Sequence, residues 1–106
     1  MVIVIGRGTC AAGKREQLAE AMRWMQGESR NEPGCQRYGF YTSVEDPDEF
    51  IAVEEWESAA ALRDHFAAPS VAGFGERVAG LIAGTPEIRI HGVSASNDYP
   101  DLDGLE

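Results

Sequence analysis

Basic side chains are scarce in this sequence: 9 lysines and arginines stand against 18 aspartates and glutamates, for a net charge of −9. A surface of that sign repels a phosphate backbone, which argues against nucleic-acid binding. Cysteine is scarcer still. Cys10 and Cys35 are too few for a disulfide framework and are read as reduced, small apolar residues. The two histidines, His65 and His91, have no C-x-x-C motif and no suitably spaced second ligand near them, so no metal signature is present. Long apolar runs are absent too. The opening Met1-Val-Ile-Val-Ile-Gly-Arg7 has no basic segment ahead of it and is far shorter than the ~18 residues of a membrane span. The expectation is a cytoplasmic protein without membrane contact.

What is present fits one domain. A chain of 106 residues buries only roughly 60–70% of the surface its unfolded form exposes, so help from a partner subunit is expected. Val2 to about Thr9 is a β-branched apolar run, the pattern of a strand buried on both faces or central in its sheet. From about Lys14 to Arg30, Leu18, Ala21, Met22 and Met25 mark one face of an amphipathic helix. Trp24 stands off that stripe, as a flank of the core or as a contact with another subunit. Asn31-Glu-Pro-Gly34 stops the helix. Two strands follow, about Cys35 to Val44 and Phe50 to Glu57, joined by the acidic turn Glu45-Asp-Pro-Asp-Glu49, most simply as an antiparallel hairpin.

Period-2 alternation puts Phe50, Ala52, Glu54 and Trp56 on one face of the second of these strands. Ser58 then offers an N-cap, and Leu62, His65 and Phe66 recur at i, i+3, i+4, placing an imidazole on the apolar face of a short helix. Pro69 opens another helix, expected to run through Val71, Phe74, Val78, Leu81 and Ile82. Gly84-Thr-Pro86 is read as its end, and Ile88 and Ile90 belong to a last strand. The order is β-α-β-β-α-β with the second helical element split. This is an α+β, ferredoxin-like pattern: a four-stranded antiparallel sheet with helices on one face. Covering the bare face with a second copy would give a dimeric α/β barrel. Residues 1–95 are taken as the domain, and residues 96–106, with four acidic and no basic side chains, as a tail.

Two glycine motifs compete for notice. Gly6-Arg-Gly8-Thr-Cys-Ala11 fits the dinucleotide fingerprint, and Gly8 to Arg15 misses the phosphate-loop pattern by one residue. Both imply parallel strands with helical crossovers, which the short hairpin turn forbids. A glycine-tolerant strand-to-helix turn is the expectation here.

At Glu32-Pro-Gly-Cys35, Tyr38, Asp46-Pro-Asp48, Phe50, Glu54-Glu-Trp56-Glu-Ser58, Ala61-Leu62, His65 and Ala68-Pro-Ser-Val71 with Phe74, the chain resembles the antibiotic biosynthesis monooxygenase (ABM) domain family. The resemblance implies a homodimer and, among its small quinol monooxygenases, cofactor-independent oxidation of quinol-like or polyketide-like hydroxyaromatic compounds by dioxygen. It also embraces heme-degrading enzymes, isomerases of small metabolites and members with no assigned reaction. In the heme-degrading branch a tryptophan takes the place of His65, and the heme-ligating histidine falls near Gly75. Glycine cannot ligate iron, which argues against heme degradation.

Chemistry of that type needs a base, an apolar cavity and an anchor. Histidine is largely neutral at pH 7, which makes His65 the candidate base. Deprotonating a phenol of pKa about 10 with an imidazole of pKa about 6.5 is uphill by roughly 5 kcal/mol, so the site must stabilise the anion. Glu54 is expected to favour the imidazolium, Trp56 and Phe74 to sandwich the substrate ring, and Tyr38 to donate to a substrate oxygen. Plainer readings stand beside these: a core histidine bonded to a carbonyl or to Glu54, core aromatics, and a structural pair of Glu54 with Arg7 or Arg89. An isomerase of a small carbonyl metabolite and a non-catalytic dimeric binding module are the alternative functions.

Overall fold

The β-branched opening run forms β1 (Val2–Cys10) at the interior of a four-stranded sheet. In the computed structural model, which describes residues 1–106, the sheet also contains β2 (Cys35–Thr42), β3 (Glu49–Trp56) and β4 (Ile82–Gly92), in the order β2-β3-β1-β4. Every neighbouring pair is antiparallel. Three helices complete the chain: α1 (Arg15–Arg30), α2 (Ala59–Ala67) and α3 (Pro69–Val78). The expected α+β, ferredoxin-like order is what folds. No helix is long and apolar enough to cross a membrane.

Register decides which side chains meet. Tyr38, Glu54 and Val4 lie across from one another in one row, and Phe40, Ala52, Gly6 and Ile88 in the next; cross-strand partners share a face. Onto this face α1 lays Leu18, Ala21, Met22 and Met25, all buried. One core cluster holds Val4, Met25, Tyr38, Trp56 and Leu62; a second holds Cys10, Leu18, Met22 and Phe50, with Phe40 and Phe74 packed against both. Trp24 is a flank of this core. It packs against α3 where Gly73 leaves room, and the Arg77 guanidinium sits 3.9 Å above its ring.

Ser58 caps α2 as expected, its hydroxyl accepting from the Ala61 N–H at 3.1 Å. Two boundaries differ from the sequence reading. Helix α3 ends at Val78, because Gly80 takes a φ of +79° that a helix cannot continue through. Ile82 therefore opens β4 instead of closing a helix, and Gly84-Thr-Pro86 lies inside the strand, where the register with β1 shifts between Arg7 and Thr9. An edge strand tolerates such a bulge and a proline without an N–H.

On the opposite face, Ile3, Ile5, Ile51 and Val53 have no helix over them and are half-buried by their sheet neighbours alone. On the helix face, Ile88 and Ile90 of β4 are also left exposed. Residues 93–106 form no helix or strand.

Candidate functional site

A cavity of about 200 Å³ lies between the sheet and the helices. Its floor comes from the second register row, where Gly6 and Ala52 keep the surface low, and its walls include Met25, Phe40, Phe74 and Ile88. Gly6 and Gly8 of the dinucleotide-like motif thus belong to β1. A side chain at Gly8 would collide with the Phe50 ring, whose nearest carbon lies 2.5 Å from where a Cβ would stand. The motif answers a packing need. Three larger hollows lie elsewhere. Those against Trp24 and around Gly13 are lined mostly by polar residues. One of about 230 Å³ beside Leu18, Met22 and Phe50 has an apolar lining but only Arg15 and Asp48 as charged groups, paired with each other.

The polar end of the cavity is made by Tyr38, Glu54 and His65. His65, on the inward face of α2, is 3% exposed. Its Nδ1 is 2.9 Å from Oε1 of Glu32, and its Nε2 is 3.9 Å from Oε1 of Glu54. The ring lies over the Trp56 indole, centroids 4.6 Å apart and planes tilted by 35°, with Tyr38 edge-on at 5.6 Å. Neither a backbone carbonyl nor Glu54 is its hydrogen-bond partner; the partner is Glu32.

Glu54 is buried, and its carboxylate accepts the Trp56 Nε1–H at 3.0 Å. Trp56, not Arg7 or Arg89, therefore supplies its hydrogen bond. Burial pushes the Glu54 carboxyl above its ordinary value, opposed by the Trp56 hydrogen bond and His65 and reinforced by the nearby charge of Glu32. The Tyr38 phenol is pushed up in the same way, by burial first and the Glu54 charge second. It remains a protonated donor throughout the physiological range.

The structure brings together four of the five sequence-predicted residues on the cavity wall: His65, Glu54, Tyr38 and Phe74. Trp56 is the exception. It is 0% exposed and lies behind Glu54 and His65, so the Trp56–Phe74 sandwich around a substrate ring does not form. Phe74 stacks instead near Phe40, at 5.6 Å. Glu32 is the residue that sequence reasoning passed over. Its signal was a carboxylate immediately before Pro33-Gly34, but only the fold shows that the turn delivers it to a histidine 33 positions on.

The turn has a specific geometry. Gly34 adopts a φ of +82°, and a Cβ there would stand 2.6 Å from that of Ala61. The carbonyl of Gly34 accepts from the Glu57 N–H at 2.9 Å. With no side chain at residue 34, the turn can press against the start of α2, which brings Glu32 within reach of His65.

The family model for antibiotic biosynthesis monooxygenase matches residues 1–77. The Synechocystis sp. protein sll1783, itself uncharacterized, is 31% identical over 93 residues, covering 88% of this chain; the match spans 63% of that relative's length. Among solved structures, an antibiotic biosynthesis monooxygenase homologue from Deinococcus radiodurans superposes with a TM-score of 0.85 at 22% identity, covering 92% of this chain and 97% of its own. One from Nitrosomonas europaea gives 0.84 at 24%, covering 90% and 100%. PA3566 from Pseudomonas aeruginosa gives 0.79 at 26%, covering 89% and 94%. With a family model matching well over half of its length, this chain belongs to the antibiotic biosynthesis monooxygenase family.

Proposed function

We propose that this protein is a cofactor-independent monooxygenase of small quinol-like or polyketide-like hydroxyaromatic compounds, acting as a homodimer in the cytoplasm. One observation carries the reading: an apolar cavity whose polar end is a buried imidazole set between two carboxylates. A volume of about 200 Å³ lies below the usual range for drug-sized ligands, which favours a compact one- or two-ring substrate.

His65 is the base. It takes the proton of a substrate hydroxyl at Nε2, and the resulting imidazolium is stabilised by Glu32. Glu54, 3.9 Å from Nε2, favours the imidazolium as it forms, and the Tyr38 phenol donates to the substrate oxyanion, which lowers the cost of ionising the substrate. The electron-rich anion then reduces dioxygen: one oxygen atom enters the ring, the other leaves as water, and the substrate supplies all four electrons. Phe40 and Phe74 give the cavity apolar walls.

The test is oxygen uptake with reduced menadione-type quinols, wild type beside His65→Ala. A loss of about 10²–10⁴-fold is expected for removal of a general base. Equal rates overturn the proposal. The isomerase reading draws on the 3.9 Å separation of His65 Nε2 and Glu54 Oε1, which suits a proton leaving one atom of a carbonyl compound and returning to another; it predicts turnover without oxygen consumption. Ligand binding without any turnover would point to a binding module.

A further inference from the structure

We infer that Glu32 is a positioning residue that fixes which nitrogen of His65 is free to accept a proton, an inference that rests on the reading of His65 as the base. An ionised carboxylate can only accept, so the imidazole nitrogen 2.9 Å away must donate. In the neutral ring the proton is therefore on Nδ1 and the lone pair on Nε2. This is the minority tautomer of a free histidine, and the fold selects it.

The carboxylate has one contact besides His65, and the turn that carries it is closed by its own backbone. The backbone carbonyl of Glu32 accepts from the Cys35 N–H at 3.2 Å, closing the turn. The Ser70 hydroxyl of α3 donates to Glu32 Oε2 at 3.5 Å, a long contact on the oxygen that His65 does not use. The Trp56 indole under the imidazole restricts its rotation. Nε2 then faces Glu54 at 3.9 Å, beyond hydrogen-bond distance, at the polar end of the cavity. In the step this serves, the substrate O–H bond breaks, an Nε2–H bond forms, and the substrate oxygen keeps the electron pair. No electron is transferred. The imidazolium that results holds its two protons on opposite sides, one toward Glu32 and one toward the cavity, the division of labour by which a carboxylate orients a catalytic histidine.

The test is nitrogen and carbon NMR of the full chain, selectively labelled at histidine, at a pH where the rings are neutral, with His91→Gln to assign the signals. The wild type is expected to show the Nδ1–H tautomer for His65. An Nε2–H signal overturns the inference, and this arm needs neither substrate nor a variant at Glu32. In Glu32→Ala, with folding checked by circular dichroism, the Nε2–H form is expected to return, and kcat with a turned-over quinol to fall about 10²–10⁴-fold with KM little changed. An unchanged kcat or an unchanged tautomer in that variant overturns it as well. Absence of oxygen uptake by the wild type would remove the oxygenase reading without touching the tautomer measurement, so the two failures are separable.

Discussion

Glu54 carries an acid group on the helix face of a sheet, where its neighbours Phe50, Ala52 and Trp56 are core. Period-2 spacing made that placement legible, and the cost of burying a carboxylate made it suspect. What spacing did not reveal is that Trp56 serves the carboxylate and not a substrate, since a donor two residues along the same strand reaches back under the imidazole. Glu32 escaped for a related reason. Its partner is fixed by how a turn meets a helix, which no periodicity encodes. The raised Glu54 pKa has a thermodynamic consequence. Below the ordinary value of 4.5 the carboxyl is neutral in both folded and unfolded chains, and burial carries no ionic penalty. As pH rises past 4.5 the unfolded chain ionises first, so the folded state holds the extra proton and stability falls until the folded carboxyl has ionised too. The difference in melting temperature between wild type and Glu54→Gln is therefore expected to shrink or turn negative as pH rises from 4.5, then level off. A difference that is flat or grows across that window would contradict the assignment.

Elements with local signals folded where those signals stood. Ser58 and the i, i+3 spacing of Leu62 and His65 gave α2 its cap and its inward imidazole, whereas Phe66, read on the same face, is 52% exposed. The boundary between α3 and β4 was misread because Gly84-Thr-Pro86 reads locally as a breaker, whereas pairing with β1 absorbs it as a bulge on an edge strand. The α1–β2 turn is the element that joins fold to site. Gly34→Ala forces a β-carbon into a positive φ and against Ala61, and is expected to cost about 1–3 kcal/mol, read as a lower urea midpoint. An unchanged midpoint would mean that the turn does not press on α2 as described.

In the whole molecule, helices cover one sheet face, and Ile3, Ile5, Ile51 and Val53 mark the other. The alternation of the strands and the small size of the domain made this open face legible, and a second copy is its proposed cover. Sedimentation is expected to give a dimer for the wild type and a monomer for Val53→Asp, which puts a charge at the middle of that face. A monomeric wild type would contradict it. Substrate identity was not legible, because apolar walls specify size and shape more than they specify one molecule. The proposed reaction has a buried imidazole at an apolar cavity let an aromatic anion reduce dioxygen. The oxygen-uptake comparison tests it most directly when run under isotopically heavy dioxygen. The expected result is one heavy atom in the product of the wild type and almost none from His65→Ala in the same time; equal labelling by both proteins, or product formed with no label, would contradict it.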